Sequence, residues 1–436
     1  MAGQQPQRSV FGVPLVVALF FVGILLPTAL SVNLGGLRLS AYRVVLILCF
    51  LPMLVRLLLG RSGQMNIFDA MIGLHCAWVV AALIKWGGLA QGIESGGIYV
   101  IECAGAYLVG RLYIRSCEDF EAMARAYVAV VVGMLIFTIP EAITAVHILH
   151  DGASSVLGGP AAPYIDKRMG LERTFGPFDH PILYGVFSAA AFSMAYFVVA
   201  ERRLSNYRGI AMVAGVSLAT FLSGSGGPYL VLLMQGFVAT WERVFSQFQG
   251  RWTVLFTLFG MAYLAIDLLS TKTPFHVFVN NFTFSKISAY NRIRIFDYGT
   301  AEVARHPAFG IGLGDWERPS WMSDSMDNFW LVITVRYGVP AFVLLLAVLI
   351  GLVVAAGRRK GLPDDWRRAR HAWAFTLFGI SVAAANTHLW NQLFVLFLFL
   401  LGAGAWLSDV RPGAAASKAE PRRSPVPRAR APARLF

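Results

Sequence analysis

The sequence predicts an all-α polytopic membrane protein with about twelve transmembrane helices. Composition is the first observation: 57% of the 436 residues are hydrophobic and 14% charged, where a soluble domain carries about 25% charged residues. The second is a mean hydropathy of +0.61, more apolar surface than one buried core can absorb. The third is the length of the apolar runs, close to the roughly 20 residues a helix needs to cross a bilayer. The runs lie at 10–30, 41–59, 66–86, 96–114, 122–147, 180–200, 208–224, 227–245, 252–270, 328–356, 370–387 and 389–408. They are continuous rather than alternating, which fits helices and not the strands of an outer-membrane barrel. The first run lacks an obvious small-residue cleavage site and reads as a span rather than a signal peptide.

A net charge of +13 invites nucleic acid as a partner, but its distribution points to a membrane. With the N-terminus placed inside the cell, most Lys and Arg fall on inside loops and tails, including Arg202, Arg203, Arg208, Arg358, Arg359, Lys360, Arg367, Arg368 and Arg370. This is the positive-inside pattern, with both termini cytoplasmic. Arg336 falls within a span on this reading. Cys49, Cys76, Cys103 and Cys117 sit in or beside spans without metal-ligand spacing and read as buried small apolar residues.

Two units follow: a transmembrane domain at 1–410 and a Pro-, Ala- and Arg-rich segment at 411–436. The latter has too few large apolar residues to fold, and reads as a disordered cytoplasmic tail near anionic headgroups. Two long loops, 148–179 and 271–327, fall on the external face, the larger between the ninth and tenth spans. Within it, residues 290–305 are spaced as a short amphipathic helix ending at His306-Pro307. The segment GIGLGDWERPSWM follows, with Gly310, Gly312 and Gly314 permitting tight turns. Trp316, Trp321 and Met322 read either as a small loop core or as interfacial anchors.

The external loops hold the chemistry-bearing residues. Arg173, Arg292, Arg294, Arg305 and Arg318 form a candidate grip for phosphate or diphosphate; singly, each reads as a headgroup contact or loop ion pair. Asp315-Trp316-Glu317 has acid-x-acid spacing, a weak suggestion of a divalent cation site. His180, His306 and His388 lie at external span ends as candidate bases or capping residues. Glu102 at mid-span and Glu141 near the outer end of the fifth span are costly there and read as functional groups, with a protonated or paired packing residue as the competing reading of Glu102.

RTFGPFDHPILYG, SLATFLSGSGGPYLVLL, NRIRIFDYGTAEVARHPAFGIGLGDW and MDNFWLVITVRYGVPAFVLLL resemble the O-antigen ligase/polymerase superfamily, nearest its exopolysaccharide-polymerase branch. The likeness covers roughly residues 170–350, carried by HP-x-x-G-x-G and N-x-W-L-x-x-x-x-R-Y-G together. It implies a metal-independent, cofactor-free glycosyltransferase of the GT-C type in the bacterial inner membrane. The implied donor and acceptor are undecaprenyl-diphosphate-linked oligosaccharides on the periplasmic face, with membrane lipids, chain-length regulators and export proteins as partners. The implied activity is polymerisation of repeat units, with ligation of glycan to a lipid acceptor as the alternative. By the resemblance, Arg173 and Arg292 hold the donor diphosphate, with Arg294 and Arg318 beside them and His180, Trp316 and Asn328 contacting substrate. Asp327 stands where ligases place a histidine before Asn-x-x-Leu, making Asp327 or His388 the implied base, and Ser225-Gly226-Gly227 stands where the family often has Ser-Arg-Gly. A lipid-linked-glycan flippase, favoured by Glu102, and a non-catalytic chain-length regulator are the rival classes.

Overall fold

A computed structural model describes residues 9–10, 12–28, 30–34, 37–61, 64–157, 165–203, 205–274, 276–277 and 286–409. The tail at 411–436 lies outside the described residues. The fold is all-α and membrane-embedded, with helix in every apolar run. Among the described residues seven helices are long and apolar enough to cross a membrane: Ala41–Leu58, Ile67–Tyr113, Cys117–Thr144, Pro181–Val199, Arg251–Leu269, Val339–Gly357 and Gln392–Asp409. Leu15–Leu25 and Tyr207–Leu222 are apolar but shorter. Gly226–Val244 and Asp364–Ala384 complete the bundle. The only strands among the described residues are two short antiparallel pairs, Ser9–Val10 with Val13–Pro14 and Ser31–Leu34 with Leu37–Ser40.

One core runs through the bundle, from Phe20 and Tyr42 through Tyr127, Phe187 and Trp373 to Phe399. Small residues let helices meet at backbone distance, as is common where packing rather than water drives association. A Cβ on Gly402 would stand 2.1 Å from the Tyr107 carbonyl oxygen, so the helices Ala106–Tyr113 and Gln392–Ala403 touch main chain to main chain.

The mid-span Glu102 is a paired packing residue. It lies in a π-helical turn, Ile101–Gly105, and accepts hydrogen bonds from Arg43 Nε at 2.6 Å and Tyr42 Oη at 2.9 Å. At one end of the bundle Arg111 bridges Asp69 and Asp409, and Arg251 grips Glu242 through two nitrogens. Arg359 and Arg370 cap nearby carbonyls at that same end.

The run 328–356 is not one span. It divides at Gly338 (φ 85°, ψ 169°) into Phe329–Tyr337 and Val339–Gly357. Because the break comes after Tyr337, Arg336 lies in the last turn of a nine-residue helix and lines a cavity rather than continuing into the long apolar helix. The glycine segment fills the break. Ile311 and Gly312 donate to the carbonyls of Val335 and Arg336 at 2.9 Å, and Val339 donates to Pro307 at 2.8 Å. These bonds satisfy carbonyls that a helix end leaves open. Trp78 stacks on Phe309 at 4.8 Å and donates to the Ala308 and Tyr337 carbonyls. The contact is so tight that a Cβ on Gly338 would come within 2.0 Å of the Ala308 oxygen. Gly338→Ala is therefore expected to destabilise the protein by about 2–4 kcal/mol, through backbone strain and overpacking. Thermal unfolding of the detergent-purified variant checks this, with a midpoint equal to wild type as the contrary outcome.

Candidate functional site

Chain reversals gather at the end of the bundle opposite the Arg111 and Glu242 ion pairs; their described residues are 145–157 with 165–180, 223–225, 270–274 with 286–328, and 385–391. The first is clamped at both edges. Glu172 donates to the Ala142 carbonyl and Thr174 to that of Leu222, each at 3.1 Å. The Glu141 carboxylate accepts the backbone N–H of Phe175 at 2.9 Å and of Gly176 at 3.3 Å, and meets His147 Nδ1 at 2.8 Å. Glu141 thus serves as an anchor for the loop on which Arg173 stands.

That anchoring leaves the Arg173 side chain buried against the Ser-Gly-Ser turn. Its Nη2 donates to Ser225 Oγ at 2.7 Å and its Nε to the Ser223 carbonyl at 3.4 Å. Arg168 donates to the Gly224 carbonyl, in the same turn, at 3.0 Å. Arg168 is carried there by a tight hairpin, closed by two 3.0 Å bonds with Leu171 across Met169 and Gly170, both at positive φ.

Arg292 arrives from the other loop on the helix Lys286–Arg305, whose apolar face joins Ile295 to Trp316, Leu331 and Val335 in a small separate core. Met322 packs on that core, whereas Trp321 is 61% exposed. The two readings of the loop aromatics thus divide between a core at Trp316 and Met322 and an outer face at Trp321.

Electrostatics tie the two loops together. Burial lowers the Arg173 guanidinium to about 10, and neighbouring Arg168 depresses it further, while Tyr229 and Asp166 pull the other way. Burial also holds Arg292 below the ordinary arginine value; Asp327 works against this and Arg168 adds to it. His180 is lowered to about 4 by burial and by Arg173, with Asp327 opposing and Arg168 adding. Arg168, Arg173, Arg292, His180 and Asp327 therefore share one electrostatic neighbourhood.

Asp327 also lines a cavity of about 480 Å³, together with Asp315, Trp316, Asp324, Arg336, His388 and Trp390. His388 stacks between Phe329 (6.2 Å) and Trp390 (5.8 Å), and Trp390 also meets the His180 ring at 6.4 Å. Burial, then Arg336, lowers His388 to about 4, and its Nδ1 makes no hydrogen bond among the described residues. Near neutral pH it is an uncharged imidazole at the cavity wall.

The remaining residues singled out from sequence have other duties. Asn328 accepts the Leu331 N–H as the N-cap of Phe329–Tyr337, and His180 Nδ1 accepts from Ile182 as the N-cap of Pro181–Ala190. Arg294 packs on the rings of Tyr290 (3.6 Å) and Trp321 (4.2 Å). Arg318 pairs with Asp315 and lies over the Trp316 ring, at the cavity edge. Glu317 pairs instead with Arg305 at 3.0 Å, so the two acids of Asp315-Trp316-Glu317 serve different arginines. No group of three or more His, Cys, Asp and Glu able to hold a metal ion occurs among the described residues. Glu302 receives the Glu317 N–H and Arg305, with His306 at 3.6 Å.

Two cations escape the sequence reading. Arg168 is hidden in a polar stretch, where only the following Gly170 hints at a turn; Arg336 is hidden in an apolar run, where only Gly338 and Pro340 hint at its end. No protein-family model and no curated protein matches the chain.

His180 and His388 remain uncharged in the fold down to about pH 4, whereas an unfolded chain protonates them near pH 6.5. The unfolded state then binds more protons between those values, so stability falls as pH drops through that window. The double variant His180→Asn, His388→Gln is expected to flatten the decline. Thermal unfolding followed from pH 7 to pH 4.5 provides the measurement; an unchanged slope assigns the decline to other groups.

Proposed function

We propose that this chain is a GT-C-type glycosyltransferase that polymerises lipid-linked oligosaccharide repeat units into a polysaccharide on the periplasmic face of a bacterial inner membrane. On this reading the apolar runs make about twelve crossings, with both termini in the cytoplasm. The donor is a glycan on undecaprenyl diphosphate, and the acceptor is a sugar hydroxyl of a second lipid-linked unit. One observation carries the reading: Arg168 acts on both Arg173 and Arg292, which come from two separate loops, and Arg292 acts on Asp327, which lines a cavity with aromatic walls.

Cations held close together repel, and burial adds a solvation cost for each. A diphosphate relieves both. It accepts the forked N–H donors of arginine and neutralises the excess charge. In the cavity that Asp327 lines, Trp316 and Trp390 offer flat apolar faces to a sugar ring, while Asp315, Asp324 and Arg336 offer polar partners.

In the transfer, the acceptor oxygen forms a bond to the anomeric carbon as the bond from that carbon to the diphosphate oxygen breaks. The electron pair leaves with the diphosphate, whose growing charge the arginines stabilise. The acceptor proton goes to Asp327, which lines the cavity and acts on Arg292; the neutral His388, which lines the same cavity, is the second acceptor. A base so positioned contributes about 10²–10⁴-fold.

Arg292→Ala and Arg168→Ala are each expected to cut elongation by about 10²–10³-fold, the scale seen when one preorganised stabilising group is lost. Asp327→Asn is expected to cost more than His388→Gln. Purified protein is incubated with defined lipid-linked repeat units and product length is read on gels; undiminished polymer from Arg292→Ala overturns the diphosphate role. Elongation is also expected to survive EDTA. Loss of product with rescue by Mg²⁺ would return Asp315 and Glu317 to consideration as ligands.

A further inference from the structure

Asn391 has φ 49° and ψ −121°, a backbone state that suits glycine and strains any other residue. It sits directly after Trp390 and three residues after His388, at the start of the helix Gln392–Ala403. A strained residue persists only where its surroundings hold it, and here the holder is Asp179. Asn391 Nδ2 donates to Asp179 Oδ2 at 3.0 Å, while the other carboxylate oxygen, Oδ1, accepts the hydroxyl of Thr28. Thr28 is in turn fixed by Arg38, whose Nη2 donates to its carbonyl at 2.9 Å. Asp179 also precedes His180, whose ring meets Trp390.

We propose that Asp179 is a positioning residue: by holding Asn391 in its strained turn it sets Trp390 and His388 into the cavity wall and ties three external loops into one frame. It touches neither the cavity nor the arginine cluster directly. Its carboxylate suits the task because it is acceptor-only, with separate oxygens for the hydroxyl and the amide. Strain gives the contact its leverage. Without Asp179 the turn at 391 relaxes toward negative φ, and the direction of the two preceding residues changes with it.

The inference rests on the proposed transfer reaction only for its activity readout. Asp179→Ala and Asn391→Ala are each expected to lower elongation at least tenfold and to shift the emission of Trp390, isolated by subtracting spectra of a matching Trp390→Phe protein. Asn391→Gly, which adopts positive φ without help, is expected to keep elongation within threefold of wild type. Above all, the Asp179→Ala, Asn391→Gly double variant is expected to recover both elongation and the wild-type emission. Emission from Asp179→Ala identical to wild type overturns the proposal. So does a double variant as impaired as Asp179→Ala alone, which would assign the aspartate to general folding. If wild-type protein elongates no lipid-linked unit while the emission pattern holds, the transfer reading fails and the positioning role stands.

Discussion

Arg173 carries its charge in a buried position where its hydrogen-bonding partners, the Ser223 carbonyl and Ser225 hydroxyl, are both uncharged. Among the described residues it forms no ion pair with a carboxylate, and its nearest strong influence is another arginine, Arg168. A buried guanidinium so placed costs stability. It persists because the surrounding backbone is fixed by other means: the Glu141 carboxylate holds Phe175 and Gly176, and Thr174 is tied to Leu222. Elsewhere buried charges meet their opposites, as Arg111 meets Asp69 and Glu242 meets Arg251. The contrast separates charge used for packing from charge left available to a ligand.

The bundle supplies the rigidity that this arrangement needs. Helix ends deliver Glu141, Ser225, Asn328 and Thr387 to one surface, and backbone bonds between reversals lock them, as where Phe329 donates to the Thr387 carbonyl. The break at Gly338 has a similar effect. By ending one helix early it places Arg336 and Val335 at the cavity. Catalytic and binding groups carried on loops are effective only when a scaffold positions them this way.

Glu102 bears on the transporter alternative. An unpaired carboxylate at mid-span would suggest a relay or an ion site. Bonded to both Arg43 and Tyr42, it is instead a satisfied part of the helix packing. Many of the remaining polar groups gather at one end of the bundle, where the loops at 165–180 and 306–328 meet the apolar helices.

Much of this was legible in the chain itself. The apolar runs determined the helices, because crossing a membrane forces the backbone to satisfy its own hydrogen bonds over about 20 residues. The glycines at 310 and 312 and the amphipathic stretch before them marked the external loop, since positive φ and 3.6-residue spacing are local properties. Only the tertiary structure decided which of many external charges meet. Arg294 and Arg318 look the same as Arg292 in sequence, yet the first packs on two aromatic rings and the second is held by Asp315, leaving Arg292 beside Asp327. Arg168 joins them across a hairpin, and His388 reaches the same cavity from a loop some sixty residues further on. Such meetings depend on how helices pack and where loops return. A one-dimensional pattern cannot hold that information, because Coulomb energy depends on distance in space and not along the chain.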